Sequence, residues 1–595
     1  LRRQHRRPSG RVSGAPVAGQ PPPAPASRRL PGQVALLALA VGLRRQARRE
    51  WAGSPLHRWM LARPRPEGLT GSPPDPRPGR AENGRRILLG DFTFAGVTLH
   101  AGPKGDPWDR PNPSRRFAVA LHRFDWLRDL LAVGESGAVE ALRLTLLWRR
   151  TFGRWNGFSW DPEVLERRVF NLACGAPRLC AGASDAETAQ IALDLARQAR
   201  HLLATIDGPA RAAERACAAA LAGAVLAGEA GDRLTTTALE RLTKALAETV
   251  QADGGHASRS PQAAVQLLLD LQTLDEALVQ RGIAPPDEMM RAIDRLVGAV
   301  RFFTLADGAL PVFQGGEALR PALVAAARAS ENDAGRTLPA ARNGYQRLES
   351  RSLQLVADAA PPATGPWSVT ACAQPLALEV LISGRRAITN CGWSPDAVGP
   401  EALRLADAAS TASLGDLSCG APVRGLQARA LGPRLIGADA AVSAKRQQAE
   451  GALWLEMAHD GWVRRFGLRH ERRLYLDLAA DELRGEDRFT PVTDAAPGED
   501  PRRFIPFAVR FHIHPDARAS LARDGKSVLI KPEGEETGWW LRNDAMEVAI
   551  EASVFFQDGQ ARRTSQVVLR GQVRQEAGAR LRWKLAAAEP WPPPR

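Results

Sequence analysis

The chain has 595 residues, 44% of them hydrophobic, six cysteines and a formal net charge of +15. The length predicts two or more domains, and the cysteines are too few and too scattered for a disulfide framework or a Cys-x-x-Cys metal pair. The charge is concentrated in residues 1–90, which hold 18 arginines and 4 acidic residues and leave a net charge of only +1 for the rest. A nearly neutral body argues against a nucleic-acid-binding protein.

Residues 1–32 are rich in Arg, Pro and Gly and are predicted to be a disordered basic arm. We interpret the arm as a solvated tail, with contact to an anionic surface as the alternative. The apolar run at 34–43 is too short for a membrane span, and arginines follow it where a signal-peptide cleavage site would lie. This run is predicted to be an amphipathic or buried helix. It opens a region, 33–114, of one helix and short strands at 87–94 and 97–99.

From 115 to 338 the apolar residues recur at helical spacing. After a first helix near 122–131, the predicted helices cover 138–149, 162–173, 186–205, 210–230, 233–250, 261–281, 286–305 and 317–329. Consecutive antiparallel helices must bury their apolar stripes against one another. Because no repeat of fixed length is present, a closed helical toroid is favoured over a solenoid.

From about residue 345 the apolar period changes to two. The alternating segments are 352–357, 376–382, 453–457, 507–513, 527–531, 539–541, 547–550 and 564–569. Short strands separated by Gly, Asp and Pro turns predict a large antiparallel β-sandwich, assigned to 339–595 with its boundary near Pro339–Asn343. The predicted fold is therefore α then β, an N-terminal helical toroid followed by a C-terminal antiparallel β-sandwich.

The stretch 253–261, Asp-Gly-Gly-His-Ala-Ser-Arg-Ser-Pro, is predicted to be a turn that leads into a helix. The two glycines allow a sharp reversal, Ser260 can cap the helix, and Pro261 suits the first helical position. Polar groups on a turn that is held by a rigid helix often form a functional site, and this turn carries His256 and Arg259.

Asp-Gly-Gly-His-x-x-x-Ser-Pro before a long helix resembles the turn of the heparinase II/III-like family of polysaccharide lyases, and the resemblance extends from about residue 75 to 575. It implies an (α/α) toroid followed by a β-sandwich, an acidic, uronate-containing polysaccharide as the partner, and β-elimination as the reaction. It also implies a location in the cell envelope or periplasm. We expect no cofactor, no nucleic acid and no transmembrane span, and the sequence does not indicate an oligomeric state.

β-Elimination requires a group that neutralises the uronate carboxylate, a base and an acid. By resemblance, this chain has other residues where the family carries such groups. The replaced positions are Pro209-Ala210, Ser258, Ala263, Thr370-Ala-Cys372, Asn390 and Ala409. Two hypotheses therefore stay open: a polysaccharide lyase with a rearranged site, and a catalytically degenerate member that serves as a glycan-binding or cell-envelope scaffold.

Four residues remain as candidates. His256 is the first candidate for catalysis, against a role in bracing the helix, and Tyr345 is the candidate for a displaced base, against an aromatic residue at the edge of the core. Arg259 is expected to bind a uronate carboxylate, against a solvated turn residue. His470 is expected to contact the substrate from a strand, against simple exposure. No histidine has structural-zinc spacing, so no metal site is predicted.

Overall fold

The structure is a computed structural model, and it describes residues 32–329, 339–395, 397–438, 440–449, 451–492 and 504–588. The basic arm predicted over 1–32 lies outside these ranges except for Gly32. Within them, helices come first and long strands later, as the change of apolar period predicts. No helix among the described residues combines the length and the apolar character that crossing a membrane requires.

Helices make up most of the chain up to residue 328. They are α1 (Gly32–Gly53), α2 (Pro55–Leu61), α3 (Ala81–Leu88), α4 (Arg115–His122), α5 (Leu127–Leu131), α6 (Glu135–Phe152), α7 (Pro162–Leu179), α8 (Asp185–Ala204), α9 (Ala212–Ala224), α10 (Glu229–Thr249), α11 (Pro261–Gln280), α12 (Asp287–Phe303) and α13 (Pro321–Arg328). Four short strands form two small antiparallel pairs. They are β1 (Gly68–Leu69) with β4 (Leu226–Ala227), and β2 (Asp91–Phe94) with β3 (Val97–His100).

The centre of the helical part is α9, which packs against α7, α8, α10 and α11. Its sequence is dominated by alanine, and every residue from 212 to 224 is buried except Arg215. Small side chains let neighbouring helices approach it closely on all sides, so this helix is enclosed rather than amphipathic.

The strand predicted at 87–94 begins later than expected, because Ile87 lies in the last turn of α3. The local sequence supplies no capping side chain for α3. The carboxylate of Asp129, on α5, accepts hydrogen bonds from the Arg80 backbone N–H at 2.8 Å and from Asn83 at 3.1 Å. A helix start that is capped by a distant residue leaves no signal in its own sequence.

The strands of the C-terminal part form two large antiparallel sheets. The strands are β5 (Ala341–Arg342), β6 (Tyr345–Glu349), β7 (Leu353–Asp358), β8 (Leu378–Ile382), β9 (Arg385–Thr389), β10 (Ala412–Leu414), β11 (Ala421–Pro422), β12 (Leu435–Ile436), β13 (Val442–Ala449), β14 (Ala452–His459), β15 (Leu468–Asp477), β16 (Glu482–Pro491), β17 (Phe504–Ile513), β18 (Ala517–Leu521), β19 (Val528–Pro532), β20 (Trp539–Asn543), β21 (Glu547–Gln557), β22 (Gln560–Arg574) and β23 (Ala579–Ala587).

One sheet has the strand order β21-β22-β17-β9-β8-β7-β6-β5, with β10 paired to β17. The other has the order β13-β14-β15-β16-β23-β20-β19-β18. Inward-facing residues of both sheets share one hydrophobic core, which makes the two sheets a sandwich. Two short helices, α14 (Gly425–Leu431) and α15 (Val463–Phe466), lie among these strands.

The helical part and the sandwich are joined by arginines of the sandwich that bind the end of α12 and the segment after it. Arg347 donates to the carbonyl oxygens of Phe302 at 2.6 Å and Thr304 at 3.0 Å. Arg386 pairs with Asp307 at 2.6 Å. Buried guanidinium contacts of this kind fix the two parts relative to each other, so residues from both can form one site.

Candidate functional site

A cleft of about 2080 Å³ runs between the helical part and the sandwich. Its helical wall is formed by α1 and by the first turns of α7, α9 and α11, and its other wall includes the segment 366–370 and α14. Arginine side chains outnumber carboxylates among the lining residues. The tryptophans that line it are Trp51, Trp155, Trp160, Trp367 and Trp393. Flat aromatic rings together with guanidinium groups suit an acidic sugar chain.

The predicted turn leads into α11 as its sequence indicates, and the turn lines part of the cleft. Ser260 caps α11 by accepting a hydrogen bond from the Ala263 N–H at 3.4 Å, and Pro261 is the first helical residue. Gly254 has a φ of +83°, and a Cβ there would lie 1.9 Å from the carbonyl oxygen of Arg295. Only glycine fits this close approach, so the turn has one well-defined shape.

This turn holds the imidazole of His256 in one orientation. His256 Nδ1 accepts a hydrogen bond from the Ser258 backbone N–H at 3.1 Å and lies 2.7 Å from the Ser258 hydroxyl. Because Nδ1 is the acceptor, the proton of the neutral ring is on Nε2. Nε2 is 3.6 Å from Glu214 Oε1, too far for a hydrogen bond. His256 therefore directs an N–H towards the carboxylate of Glu214.

Glu214 belongs to an ion-pair cluster in the first turn of α9. Arg211 donates to Glu214 Oε1 at 3.1 Å and also to Glu166, while Arg215 lies 3.8 Å from Glu166. Burial raises the pKa of Glu214, but the charge of Arg211 and the nearby imidazole outweigh it and hold the pKa below its usual range. Glu214 is therefore ionised, and the charge of Arg211 is balanced within the cluster.

Arg211 itself has left-handed backbone geometry, with a φ of +64°. A non-glycine residue in this region costs on the order of 1 kcal/mol, and such strain concentrates at functional sites. The strained residue is held by its two carboxylates, Glu166 and Glu214. It directly follows Pro209-Ala210, where the family resemblance expects catalytic groups.

Three buried polar atoms in this cluster have no hydrogen-bond partner among the described residues: His256 Nε2, Arg215 Nε and Glu214 Oε2. The first two are donors and the third is an acceptor. A sugar hydroxyl can donate and accept at the same time, so one of these donors together with the acceptor matches a hydroxyl group. The sandwich contributes Trp367, whose ring lies edge-on to His256 with the centroids 5.8 Å apart.

Arg259 and Tyr345 lie beside the turn but are engaged elsewhere. Arg259 is buried, pairs with Asp358 at 2.6 Å, and donates to the carbonyl oxygens of Asn343, Ala360 and Pro361. The Tyr345 hydroxyl donates to the carbonyl oxygen of Arg259 at 2.8 Å, and no part of its side chain is exposed. Burial raises the pKa of Tyr345 well above its usual range.

His470 lies away from the cleft, inside the sandwich. Its Nε2 is 2.8 Å from Asp487, its Nδ1 is 3.1 Å from His459, and Arg472 binds the same carboxylate at 2.8 Å. Strand alternation gives the face of a residue, but it does not say whether that face is turned inward. The structure thus brings His256, Arg259 and Tyr345 together at the turn, where only His256 lines the cleft, and leaves His470 apart.

Glu214 was not predicted from the sequence, although one signal for it was present. It is the only carboxylate in a helix made largely of alanine and other small residues, and an ionised group in such a helix requires a partner. Ala263 and Pro209-Ala210 line the cleft, so no catalytic side chain enters it from these positions. Within the described ranges, no group of three or more His, Cys, Asp or Glu residues could hold a metal ion.

The model of the heparinase II/III-like C-terminal domain matches residues 334–584 of the chain. The chain is 54% identical over 581 residues to FtsZ-localized protein C of Caulobacter vibrioides, which covers 96% of this chain and the full length of that protein.

Two solved structures have a similar fold. One is a crystal structure of heparinase III, with a TM-score of 0.65, 12% identity, and 89% of this chain and 88% of that chain covered. The other is a mutant heparan sulfate lyase from Pedobacter heparinus, with a TM-score of 0.54, 15% identity, and 91% and 88% covered. Likeness at this identity concerns the fold, and it confirms the predicted helical toroid followed by a β-sandwich.

Proposed function

The chain belongs to the heparinase II/III-like family and is a close relative of FtsZ-localized protein C, and from this premise we propose that it is a glycan-binding protein of the bacterial division site. Its cleft binds an acidic polysaccharide and does not cleave it. The observation that carries the proposal is the balanced cluster of Arg211, Glu166 and Glu214 beside His256.

This cluster supports binding without β-elimination. A lyase must neutralise the uronate carboxylate before the neighbouring proton becomes acidic enough to remove. Arg211, the cation next to Glu214, already has two carboxylate partners. Glu214 carries a negative charge that repels a uronate carboxylate placed there.

The state of the predicted base supports the same reading. His256 has its Nδ1 bonded to the turn and its proton on Nε2, so in this tautomer it donates rather than accepts. Tyr345 has its hydroxyl bonded to a backbone carbonyl and a pKa raised by burial, both of which disfavour a phenolate. The catalytic roles expected for both residues stay predictions, which the product assay below addresses.

The cleft walls support an acidic glycan as the ligand. Arginines of both parts line it, and among the described residues Arg44 and Arg115 make no ion pair with a carboxylate, although the charge of Arg115 acts on Asp161. Trp367 is partly exposed beside His256, where a sugar ring can stack on its face. Donor, acceptor, aromatic and cationic groups are thus all present for recognition.

The division site is proposed from the relative alone. The name of FtsZ-localized protein C states where that protein is found, and identity of 54% over its full length supports the same location here. A location in the cell envelope or periplasm, which the resemblance implies, stays a prediction. A fluorescent fusion of this chain should form a band that coincides with FtsZ at mid-cell, and an evenly distributed signal would contradict this part of the proposal.

The glycan part is tested with the full chain and heparin, heparan sulfate, chondroitin, alginate and hyaluronan. Binding is measured by calorimetry, and cleavage by the ultraviolet absorbance of an unsaturated uronate. We expect binding to at least one polymer without product, and weaker binding for Trp367→Ala. The matched control is Trp454→Ala, which removes a tryptophan that is 42% exposed on the sandwich and does not line the cleft.

Product that depends on His256 would overturn the non-catalytic reading and restore a lyase with a rearranged site. Product that survives His256→Gln but is lost with Tyr345→Phe would move the base to Tyr345. Absence of both product and binding would overturn the glycan proposal and leave the family assignment standing.

A further inference from the structure

A second, smaller cavity of about 150 Å³ opens beside the end of the cleft. It lies between α2, α8 and the corner at residues 52–54, where α1 leads into α2. Ala52, Trp155 and Trp160 line both cavities, so the two are adjacent. An engineered apolar protein cavity of this volume takes up one six-membered ring. The space is therefore suited to a single ring-sized group.

The local sequence fixes the walls of this pocket. Ser54 caps α2 by accepting a hydrogen bond from the His57 N–H at 3.1 Å. His57 Nε2 lies 3.1 Å from His201 Nδ1, which docks the corner on α8. A Cβ at Gly53 would be 3.6 Å from the Trp155 ring, in ordinary van der Waals contact. The corner thus packs directly against the indole that forms one wall.

Three guanidinium groups line the pocket, those of Arg58, Arg154 and Arg197. The side chains of Arg58 and Arg154 make no ion pair or hydrogen bond with any residue that the structure describes. Like charges around one small space repel each other unless an anion lies between them. The pocket is therefore positive, and of its three arginines only Arg197 has a carboxylate, Asp194, within ion-pair distance.

Arg197 adds to this imbalance. Its Nη1 is 3.5 Å from Asp194, which lies closer, at 2.6 Å, to Arg149. The Nε atom of Arg197 is buried and has no hydrogen-bond partner among the described residues. Burial lowers the pKa of Arg197; the charge of Asp194 opposes this effect, and the charges of Arg58 and Arg149 add to it. An anion placed in the pocket would accept a hydrogen bond from Arg197 Nε and would lie between the positive charges of Arg58 and Arg197.

We propose that this pocket binds a carboxylate-bearing sugar unit, with the carboxylate among Arg58, Arg154 and Arg197 and the ring against Trp155. Guanidinium groups bind a carboxylate through paired N–H donors, and an indole offers a flat face to a sugar ring. The inference rests on the proposed function, because the acidic glycan in the cleft supplies such a unit at the adjoining end.

The test is calorimetric titration of the full chain with glucuronic acid, glucose and inorganic phosphate. The double variant Arg58→Gln/Arg154→Gln changes two exposed side chains without partners, so we expect it to fold. Arg150→Gln is the matched control, since Arg150 is an exposed arginine outside both cavities. Glucuronic acid should bind saturably, with affinity reduced roughly tenfold or more in the double variant and within about twofold in the control.

Glucose should not bind measurably, because it lacks the carboxylate. Glucuronic acid that does not bind, or that binds the double variant as tightly as the unmodified chain, would overturn the inference. Phosphate that binds as tightly as glucuronic acid through the same arginines would also overturn it, since the pocket would then recognise a bare oxyanion.

Polysaccharide binding and its dependence on Trp367 are measured on the same samples. If the polymer binds but the sugar acid does not, only the pocket assignment fails. If the sugar acid binds through Arg58 and Arg154 but no polymer binds, the proposed function fails and the pocket assignment stands.

Discussion

The guanidinium of Arg259 lies 2.6 Å from the carboxylate of Asp358, and this pair joins the turn beside the cleft to strand β7 of the sandwich. Both side chains are buried, and Asp358 also accepts a hydrogen bond from Gln314 at 2.8 Å. The same arginine lies 4.7 Å above the ring of Tyr345. Arg259 thus connects the two parts of the molecule at the point where His256 enters the cleft.

Arg259→Met should be strongly destabilising, because it leaves Asp358 buried without its counter-charge. Breaking a buried pair in this way costs about 3–5 kcal/mol in the free energy of unfolding. Urea denaturation measures the loss. The double variant Arg259→Met/Asp358→Leu should be more stable than Arg259→Met alone, since it removes both charges.

The control for this prediction is Arg86→Met, which breaks the exposed Arg86–Glu82 pair and should leave the denaturation midpoint unchanged. The prediction would be contradicted if Arg259→Met/Asp358→Leu were less stable than both Arg259→Met and Asp358→Leu. The two side chains would then stabilise the fold through contacts other than the compensation of each other's charge.

Gly254→Ala should distort the turn that carries His256. The new Cβ would lie 1.9 Å from the carbonyl oxygen of Arg295, and the residue has a φ of +83°. Gly282→Ala is the matched control, because its φ is +65° and a Cβ there meets nothing within 4 Å. Both variants bear the left-handed strain, so the difference between them isolates the clash, which costs roughly 1–3 kcal/mol.

The measurement is the denaturation midpoint of both glycine variants together with their glycan affinity. Only Gly254→Ala should weaken glycan binding, since it moves His256. Equal midpoints for the two variants would contradict the close approach at this turn.

The order of helices and strands was open to prediction because each element repeats its apolar residues at its own period. The cap of α11 was predictable too, since Ser260 and Pro261 act within one turn of chain. The cap of α3 was not, because Asp129 supplies it from another helix. A cap formed within one turn of chain can be predicted from the sequence, whereas a contact between distant segments cannot.

In the candidate site, too, positions set by local sequence were predictable and contacts between distant segments were not. The turn motif allowed the position of His256 to be predicted from local sequence. Its acidic neighbour, Glu214, could not be predicted in this way, because it lies on α9, which is distant in the chain. His470 alternates along β15 like any strand residue, and the pattern alone could not place it in a buried network with Asp487. Tyr345 opens strand β6 two residues after Asn343, and its hydroxyl donates to the backbone carbonyl of Arg259 instead of reaching the cleft.

The stability of the fold should fall in mild acid, in part through His201. Burial, with the neighbouring His57 and Arg168, lowers the pKa of His201 from 6.5 to about 4. The unfolded chain binds a proton near pH 6.5, whereas the folded chain binds it only near pH 4. The contribution of neutral His201 is therefore complete above pH 7 and is lost as the pH falls through this window, by about 2 kcal/mol at pH 5.

His201→Gln should flatten the dependence of the unfolding free energy on pH between 6.5 and 4 by nearly one proton. Urea denaturation at several pH values measures this slope. Val279→Gln is the control, because Val279 is 62% exposed and carries no titratable group, so its replacement should leave the slope unchanged. An unaltered slope in His201→Gln would show that another group takes up the proton.

Glycan binding in the cleft should depend on salt. Arg115 is exposed at the cleft wall and makes no ion pair with a carboxylate of the described residues, acting on Asp161 only at longer range, so its attraction to a polyanion acts through solvent. The screening length falls from about 10 Å at 0.1 M salt to about 3 Å at 1 M. Arg115→Gln should therefore weaken binding several-fold at low salt, and its affinity should converge with that of the unmodified chain at high salt.

Arg150→Gln, with the same change of charge outside the cleft, should differ little at either salt concentration. Calorimetry at both concentrations distinguishes a long-range attraction from a direct contact. An effect of Arg115→Gln that persists at 1 M salt would require direct contact of Arg115 with the glycan, because salt screens an attraction that acts across water.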